Sequence, residues 1–209
     1  MKALWGDAGN DLDWVKADAH DMTALYLPIS DPPADVKRRL TEIRSHGYVA
    51  GVYMAWNWPM FAGMSGTSVA ELMHSLVATV SPSAPVKVQF DIEAHDPEFI
   101  LETLTRWRAI RPKQDTSWTL ESFQGGWMSP EFVAAIVALK VRVVPQFYSG
   151  VMGDVDDPKA LLAEQVAQDM ALRDLTRRGF PEALVTGFYD AATLPDRWDG
   201  WAFTQGRLP

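Results

Sequence analysis

Short apolar runs alternate with amphipathic segments along the chain. The runs are rich in valine, isoleucine and aromatic residues and recur at fairly regular spacing, which predicts β-strands. Most of the segments between them have the helical period of apolar residues, with glycine or proline at several of their ends. The eight predicted strands are Ala3–Asp7, Ala24–Ile29, Val49–Trp56, Val86–Glu93, Ser117–Glu121, Val141–Tyr148, Leu184–Asp190 and Trp201–Thr204. The predicted helices are Leu12–His20, Asp35–His46, Ser68–Val80, Pro97–Ile110, Pro130–Leu139 and Pro158–Arg178.

This alternation predicts the fold class. Strand–helix units that repeat along a chain form a parallel sheet with helices outside it, so we expect an α/β protein. The count of eight strands, and the absence of a glycine-rich phosphate turn after the first, favour a single (β/α)8 TIM-like barrel over an open doubly wound sheet. Because the first run begins near residue 1 and the last ends shortly before Pro209, one barrel domain is expected to span residues 1–209.

The fourth predicted strand has one polar face. Residues two apart in a strand share a face, so Lys87, Gln89, Asp91 and Glu93 lie together, opposite an apolar face. Strands of parallel sheets are normally apolar throughout, so a polar face needs a specific reason. The reason is either chemistry at the barrel axis or a structural network of paired charges.

Acidic and aromatic residues are concentrated where the predicted strands end. Asp7, Glu121 and Asp190 close three more strands, at the face where barrel enzymes hold their active sites. Crowded carboxyl groups repel one another, so one can stay protonated as a general acid while an ionised neighbour acts as base, nucleophile or charge stabiliser. The chain has nine tryptophans, and flat aromatic faces suit the apolar faces of sugar rings. The aromatic residues at or just beyond strand ends are Trp5, Tyr53, Trp56, Trp58, Phe123, Trp127, Tyr148, Tyr189 and Trp201.

With these residues, the chain resembles family 25 glycoside hydrolases, the barrel-shaped, lysozyme-like muramidases of phages and bacteria. The residues that carry the resemblance are Trp5-Gly6-Asp7, Asp11-Leu12-Asp13-Trp14, the strand Gly47 to Tyr53, Phe90-Asp91-Ile92-Glu93 and Trp201-Ala202-Phe203-Thr204. They are similar to that family's opening aspartate, its Asp-x-Asp-Trp helix start, its third strand, its Asp-x-Glu motif and a late Trp-x-Tyr-Thr strand. The resemblance implies that Glu93 is the general acid and that Asp91 and Asp7 are supporting carboxylates.

The leading hypothesis is therefore a glycoside hydrolase that acts on bacterial cell-wall peptidoglycan or a surface polysaccharide and is associated with a phage. Carboxylate acid/base chemistry of this kind needs no cofactor, and the spacing of Asp91 and Glu93 leaves both retaining and inverting outcomes open. The residues expected to bind substrate are Trp56, Tyr53, Glu121, Tyr148, Asp190 and Trp201.

Two other functions stay open. A catalytically inactive barrel could serve as a structural, receptor-binding or glycan-binding virion protein of a phage tail, since a fold does not determine function. In that case Asp91 and Glu93 belong to a buried network with Lys87 and Arg142. A third hypothesis, an intracellular enzyme on a phosphorylated metabolite, requires a glycine-rich phosphate loop near the last strands, for which Asp199-Gly200-Trp201 is a poor substitute.

Charge and composition limit the partners. The net charge of −8 argues against nucleic acid as a partner. The chain contains no run of about 18 apolar residues, so no membrane span is expected. The first residues lack the apolar core of a signal peptide. We therefore expect either a virion component, with other virion proteins as partners, or an enzyme of the host cytoplasm that is released through a holin. In both cases the protein is expected to act at the cell wall. The chain has no cysteine, and its scattered histidines predict no metal site.

Overall fold

The eight predicted strands are present and pair in chain order. The computed structural model describes residues 2–6, 14, 23–92, 96–120, 130–147, 185–187 and 201–204. Every neighbouring pair of strands is parallel, and the first strand also pairs with the last, so the ladder closes on itself. The strands are β1 Lys2–Trp5, β2 Ala24–Pro28, β3 Val49–Ala55, β4 Lys87–Asp91, β5 Thr116–Leu120, β6 Arg142–Phe147, β7 Val185–Gly187 and β8 Trp201–Thr204.

Helices of the described part follow β2, β3, β4 and β5, which confirms the α/β class. They are α1 Pro33–Ser45, α2 Gly66–Val80, α3 Pro97–Ile110 and α4 Pro130–Ala138, and a 3-10 turn spans Pro59–Phe61. The predicted helix Pro158–Arg178, and Leu12–His20 apart from a helical Trp14, lie outside the described residues. No helix within the described ranges is long and apolar enough to cross a membrane.

Two helices begin earlier than the hydrophobic period predicts, and the reason lies in their first turns. α1 starts at Pro33, because a proline at the first helical position has no N–H to leave unsatisfied. α2 starts at Gly66, because the Ser65 hydroxyl caps it by accepting from the Ser68 backbone N–H at 3.2 Å. α1 ends as predicted at His46-Gly47, where Gly47 has a φ of +85° that glycine adopts without strain.

The main core lies between the sheet and the helices. Alternate residues of β2, β3 and β4 are buried against apolar residues of α1, α2 and α3, as the strand period predicts. The two bulkiest core residues, Trp107 and Trp118, are fully buried, and each indole N–H has a hydrogen-bond acceptor. Two of the nine tryptophans are therefore packing residues and do not line a groove.

Inside the strand ladder, Gly51 makes room for a tyrosine ring. Tyr26 of β2 pairs with Gly51 of β3, and a Cβ added at Gly51 would lie 2.4 Å from the Tyr26 Cδ1 atom. The ring is 2% exposed, so it has little space in which to move away. The contact therefore requires glycine at this position of β3.

Replacing Gly51 by alanine is expected to lower the free energy of unfolding by about 1–3 kcal/mol, because the added methyl group overpacks the interior. Urea denaturation of Gly51→Ala and wild type measures the change. The Gly51→Ala/Tyr26→Leu double variant should lose less stability than the two single variants summed, because a leucine side chain leaves space for the methyl group. Wild-type stability of Gly51→Ala would contradict this packing.

Candidate functional site

The two faces of β4 are separated as the sequence predicts. Val88, Phe90 and Ile92 are completely buried in the core beneath the helices. Gln89, on the opposite face, is buried inside the ladder, and its Nε2 donates to the Thr119 Oγ1 of β5 at 2.8 Å. Asp91, two residues further along, shares the face of Gln89 and reaches the carboxyl end of the strand.

Asp91 lies at the rim formed by the carboxyl ends of the strands. It is the last residue of β4 and is half-buried. The backbone N–H of Trp56, which follows β3, donates to the Asp91 carbonyl oxygen at 3.0 Å. The Trp56 residue is 38% exposed, one of the few large apolar residues of the described part at the surface. A carboxylate and an accessible indole therefore belong to the same section of the rim.

More aromatic residues follow β3 at the same rim. Trp58, after β3, has its ring 5.5 Å from that of Tyr53, which lies within β3, and it stacks on Phe61 with 6.4 Å between ring centroids. Phe61 is buried, whereas Tyr53 and Trp58 are half-buried. The segment after β3 thus presents an aromatic surface whose innermost ring is anchored in the core.

A buried tryptophan fixes the backbone between the two predicted acids. The indole N–H of Trp118 in β5 donates to the Ile92 carbonyl oxygen at 3.0 Å. Trp118 itself is held edge-on by Phe132 of α4, with 5.8 Å between ring centroids. Ile92 follows Asp91, the last residue of β4, so this hydrogen bond fixes the backbone directly after the strand. The sequence pattern placed Trp118 on the outer face but did not predict this contact.

A second polar cluster lies at the amino ends of the strands. Asp115, just before β5, accepts from the Lys87 ammonium group at 3.2 Å and from the Arg142 guanidinium at 2.7 Å. Both cations were expected to pair with Asp91 and Glu93 if the polar face of β4 is structural. Sequence reasoning missed Asp115, which lies outside the predicted strands, and only the register of three strands brings it to both cations.

Tyr26 adjoins this second cluster. Burial raises the pKa of its phenol to about 12, and the nearby Arg142 guanidinium only partly offsets that effect. Its hydroxyl oxygen has no hydrogen-bond partner of good geometry among the described residues, and neither does the Ser117 hydroxyl. Tyr26 is therefore a neutral packing group near neutral pH.

The described residues contain only part of the predicted site. Asp91, Trp56 and Tyr53 lie at the carboxyl-end rim. Trp201 does not, because it is the first residue of β8 and pairs with Lys2 at the start of β1, so it lies at the amino ends of the strands, and its predicted place at the rim was wrong. The predicted residues outside the described part are Glu93, Asp7, Glu121, Tyr148 and Asp190. Within the described part, no group of three or more histidine, cysteine, aspartate or glutamate side chains could hold a metal ion.

Comparisons with known proteins support the fold. No protein-family model and no curated protein matches the chain. Active domain 2 of a thermostable chitinase from Pyrococcus furiosus, solved as catalytic-site mutants with chito-oligosaccharides, is similar over 97% of this chain and 82% of its own, at 17% identity and a TM-score of 0.63. The 3-keto-L-gulonate-6-phosphate decarboxylase of Vibrio cholerae is similar over 99% of this chain and 88% of its own, at 11% identity and a TM-score of 0.53.

Both of these structures are TIM-barrel enzymes, and at such low identity they show a shared fold alone. One of them is a glycoside hydrolase catalytic domain. The resemblance to family 25 glycoside hydrolases and the phage association stay predictions.

Proposed function

We propose that the chain forms a complete (β/α)8 barrel and is a glycoside hydrolase that acts on bacterial cell-wall peptidoglycan or a surface polysaccharide. The observation that carries the proposal is the hydrogen bond from the Trp56 backbone N–H to the Asp91 carbonyl oxygen. It joins the backbones of a half-buried aspartate and an exposed tryptophan at the end of the sheet where barrel enzymes act. A site that hydrolyses a glycan uses both groups, because an aromatic face binds the sugar ring and a carboxylate acts on the glycosidic bond.

In the proposed mechanism the carboxyl groups have different chemical roles. Glu93 protonates the leaving glycosidic oxygen, and Asp91, with Asp7, stabilises the oxocarbenium-like transition state or positions the attacking water. Trp118 supports this arrangement because it holds the Ile92 carbonyl between Asp91 and Glu93. A chitinase domain solved with chito-oligosaccharides shares this fold, which is compatible with a glycosidase.

The remaining rim residues complete the proposal. Trp56 and Tyr53 bind sugar rings, and Glu121, Tyr148 and Asp190 are proposed to line the rest of the groove. The protein works at the bacterial cell wall as a phage enzyme, either released through a holin or carried on a virion with other virion proteins.

The Glu93→Gln variant tests the proposal. Wild type should release reducing ends from peptidoglycan or chito-oligosaccharides, and Glu93→Gln should lower the rate by about 100-fold or more, because an amide cannot donate the proton. Glu98→Gln in the first turn of α3 is a control at an exposed glutamate and should keep the wild-type rate. If Glu93→Gln cleaves as fast as wild type, Glu93 has no role in the chemistry.

A glycan-binding virion protein without catalysis is the second candidate. The observation that favours it is that polar residues of β4 already have partners: Gln89 binds Thr119 inside the ladder, and at the amino end Lys87 binds Asp115, which also accepts from Arg142. Such pairs account for polar inward residues on structural grounds alone. Wild-type protein that binds peptidoglycan in a pull-down but releases no reducing ends would favour this candidate.

A further inference from the structure

A cavity of about 730 Å³ opens at the amino ends of β3, β4 and β5. Val49 and Ala50 of β3 border it, as do Lys87 at the start of β4 and Asp115 just before β5. Lys87 and Asp91 are four residues apart on one strand, so the cavity lies roughly 13 Å along β4 from the carboxyl-end rim. Its volume is within the range of sites for small molecules. The cavity is thus a second candidate site, separate from the rim that holds Asp91.

Positive charge is concentrated around this cavity, although the whole chain has a net charge of −8. Arg44, Arg111 and Lys113 all line it. Among the residues that the structure describes, none of these three cations has a carboxylate within ion-pair distance. The carboxylate of the cavity, Asp115, is already bound to Lys87 and to Arg142. The cavity therefore presents three positive charges that described carboxylates do not neutralise.

The two arginines are held in place by acceptors that carry no negative charge. The Arg44 guanidinium donates to the Ser81 hydroxyl at 2.9 Å and to the Pro85 carbonyl at 3.1 Å. The Arg111 guanidinium donates to the His74 Nδ1 atom at 2.9 Å and lies over the Trp107 ring at 5.7 Å. These contacts restrict the side chains without cancelling their charge. Burial lowers the pKa of both guanidinium groups, which stay protonated near neutral pH.

The rest of the lining is largely apolar. Tyr48, Val49, Pro85, Val86 and Pro112 contribute to it, and Val49 is 43% exposed although it lies in a strand. A bare inorganic ion would leave this apolar surface in water. A molecule with an apolar ring and an anionic group would cover the apolar surface and pair with the cations.

We propose that this cavity binds a small organic phosphate, with the phosphate between Arg44, Arg111 and Lys113 and an apolar ring against Val49 and Pro112. A phosphate monoester carries nearly two negative charges at neutral pH, which suits three cations better than a single carboxylate does. Its oxygens also match the fork of donors on a guanidinium group. The proposal does not depend on the glycosidase proposal, since the cavity can bind a phosphate whether or not the rim cleaves a glycan.

Calorimetric titration of the full chain with phenyl phosphate, inorganic phosphate and phenol tests the site in low-salt buffer. Phenyl phosphate should bind with saturation and about 10-fold more tightly than inorganic phosphate, because it fills the apolar part as well. Phenol should not bind measurably, because it lacks the charge. Absence of saturable phenyl phosphate binding, or equal affinity for inorganic phosphate, would overturn the proposal.

Two substitutions locate the binding on the structure. Lys113→Gln changes an exposed side chain and should weaken phenyl phosphate binding by about fivefold, and Arg111→Gln should weaken it further. Lys37→Gln, at an exposed lysine of α1, is the matched control and should leave the affinity unchanged. If Lys113→Gln binds as wild type does, the ligand lies elsewhere and the proposal fails even where Arg111→Gln is too unstable to measure.

Discussion

Replacing Asp91 by asparagine is expected to lower glycan hydrolysis by about 100-fold or more under the proposed function. The substitution keeps the size of the side chain and removes its negative charge. Asp91 is half-buried at the rim, where its charge is less screened than in bulk water and acts more strongly on a developing oxocarbenium ion. The measurement is kcat and KM on the soluble glycan that wild type cleaves best.

Asp35→Asn is the matched control for this prediction. Asp35 lies in the first turn of α1, and its ion pair with Arg38 is long at 3.8 Å and largely exposed. Such a pair contributes little to stability, so this variant should keep both fold and rate. A wild-type kcat in Asp91→Asn would remove Asp91 from the mechanism, and circular dichroism of both variants would show that the comparison is between folded proteins.

Replacing Trp118 by phenylalanine is expected to lower stability and activity together. The smaller ring leaves a cavity against Phe132, and the buried Ile92 carbonyl loses its donor, so the free energy of unfolding should fall by about 2–3 kcal/mol. Without this hydrogen bond, the backbone between Asp91 and Glu93 can shift. Because proton transfer depends on close positioning, kcat should fall by about 10-fold or more.

Trp107→Phe separates the positioning role of Trp118 from general destabilisation. Trp107 is also fully buried, and its indole N–H donates to the Thr116 Oγ1 atom at 2.9 Å. Thr116 begins β5, at the end opposite the rim, so Trp107→Phe should lose similar stability and keep the wild-type kcat. Urea denaturation and steady-state kinetics on both variants test the pair. An equal fall of kcat in both would mean that Trp118 acts through stability alone.

Local patterns predicted the elements well because their causes are local. The apolar residues of β4 alternate with a period of two, and the structure buries Val88 and Phe90 on one face and directs Gln89 to the other. The start of α1 was predicted two residues late, since a prolyl first turn carries no hydrophobic period. The carboxyl-end position of Asp91 and Trp56 followed from the strand assignment itself.

Such local patterns could not predict contacts between distant segments. Asp115 and Arg142 are 27 residues apart, and Asp115 meets Lys87 only because β4, β5 and β6 pair in one register. The cationic cavity has the same origin, since Arg44 lies in the last turn of α1 whereas Arg111 and Lys113 follow α3. Nothing in a single segment indicates that these charges share a space.

The sequence alone determined the α/β class, the order of the strands and the face of β4 that carries Asp91, because a hydrophobic period is a property of neighbouring residues. The tertiary structure decided which residue each polar group binds: Thr119 for Gln89, Asp115 for Lys87, and the Ile92 carbonyl for Trp118. Partners of this kind depend on the register between strands and on the packing of helices over them, which no single segment of the chain encodes.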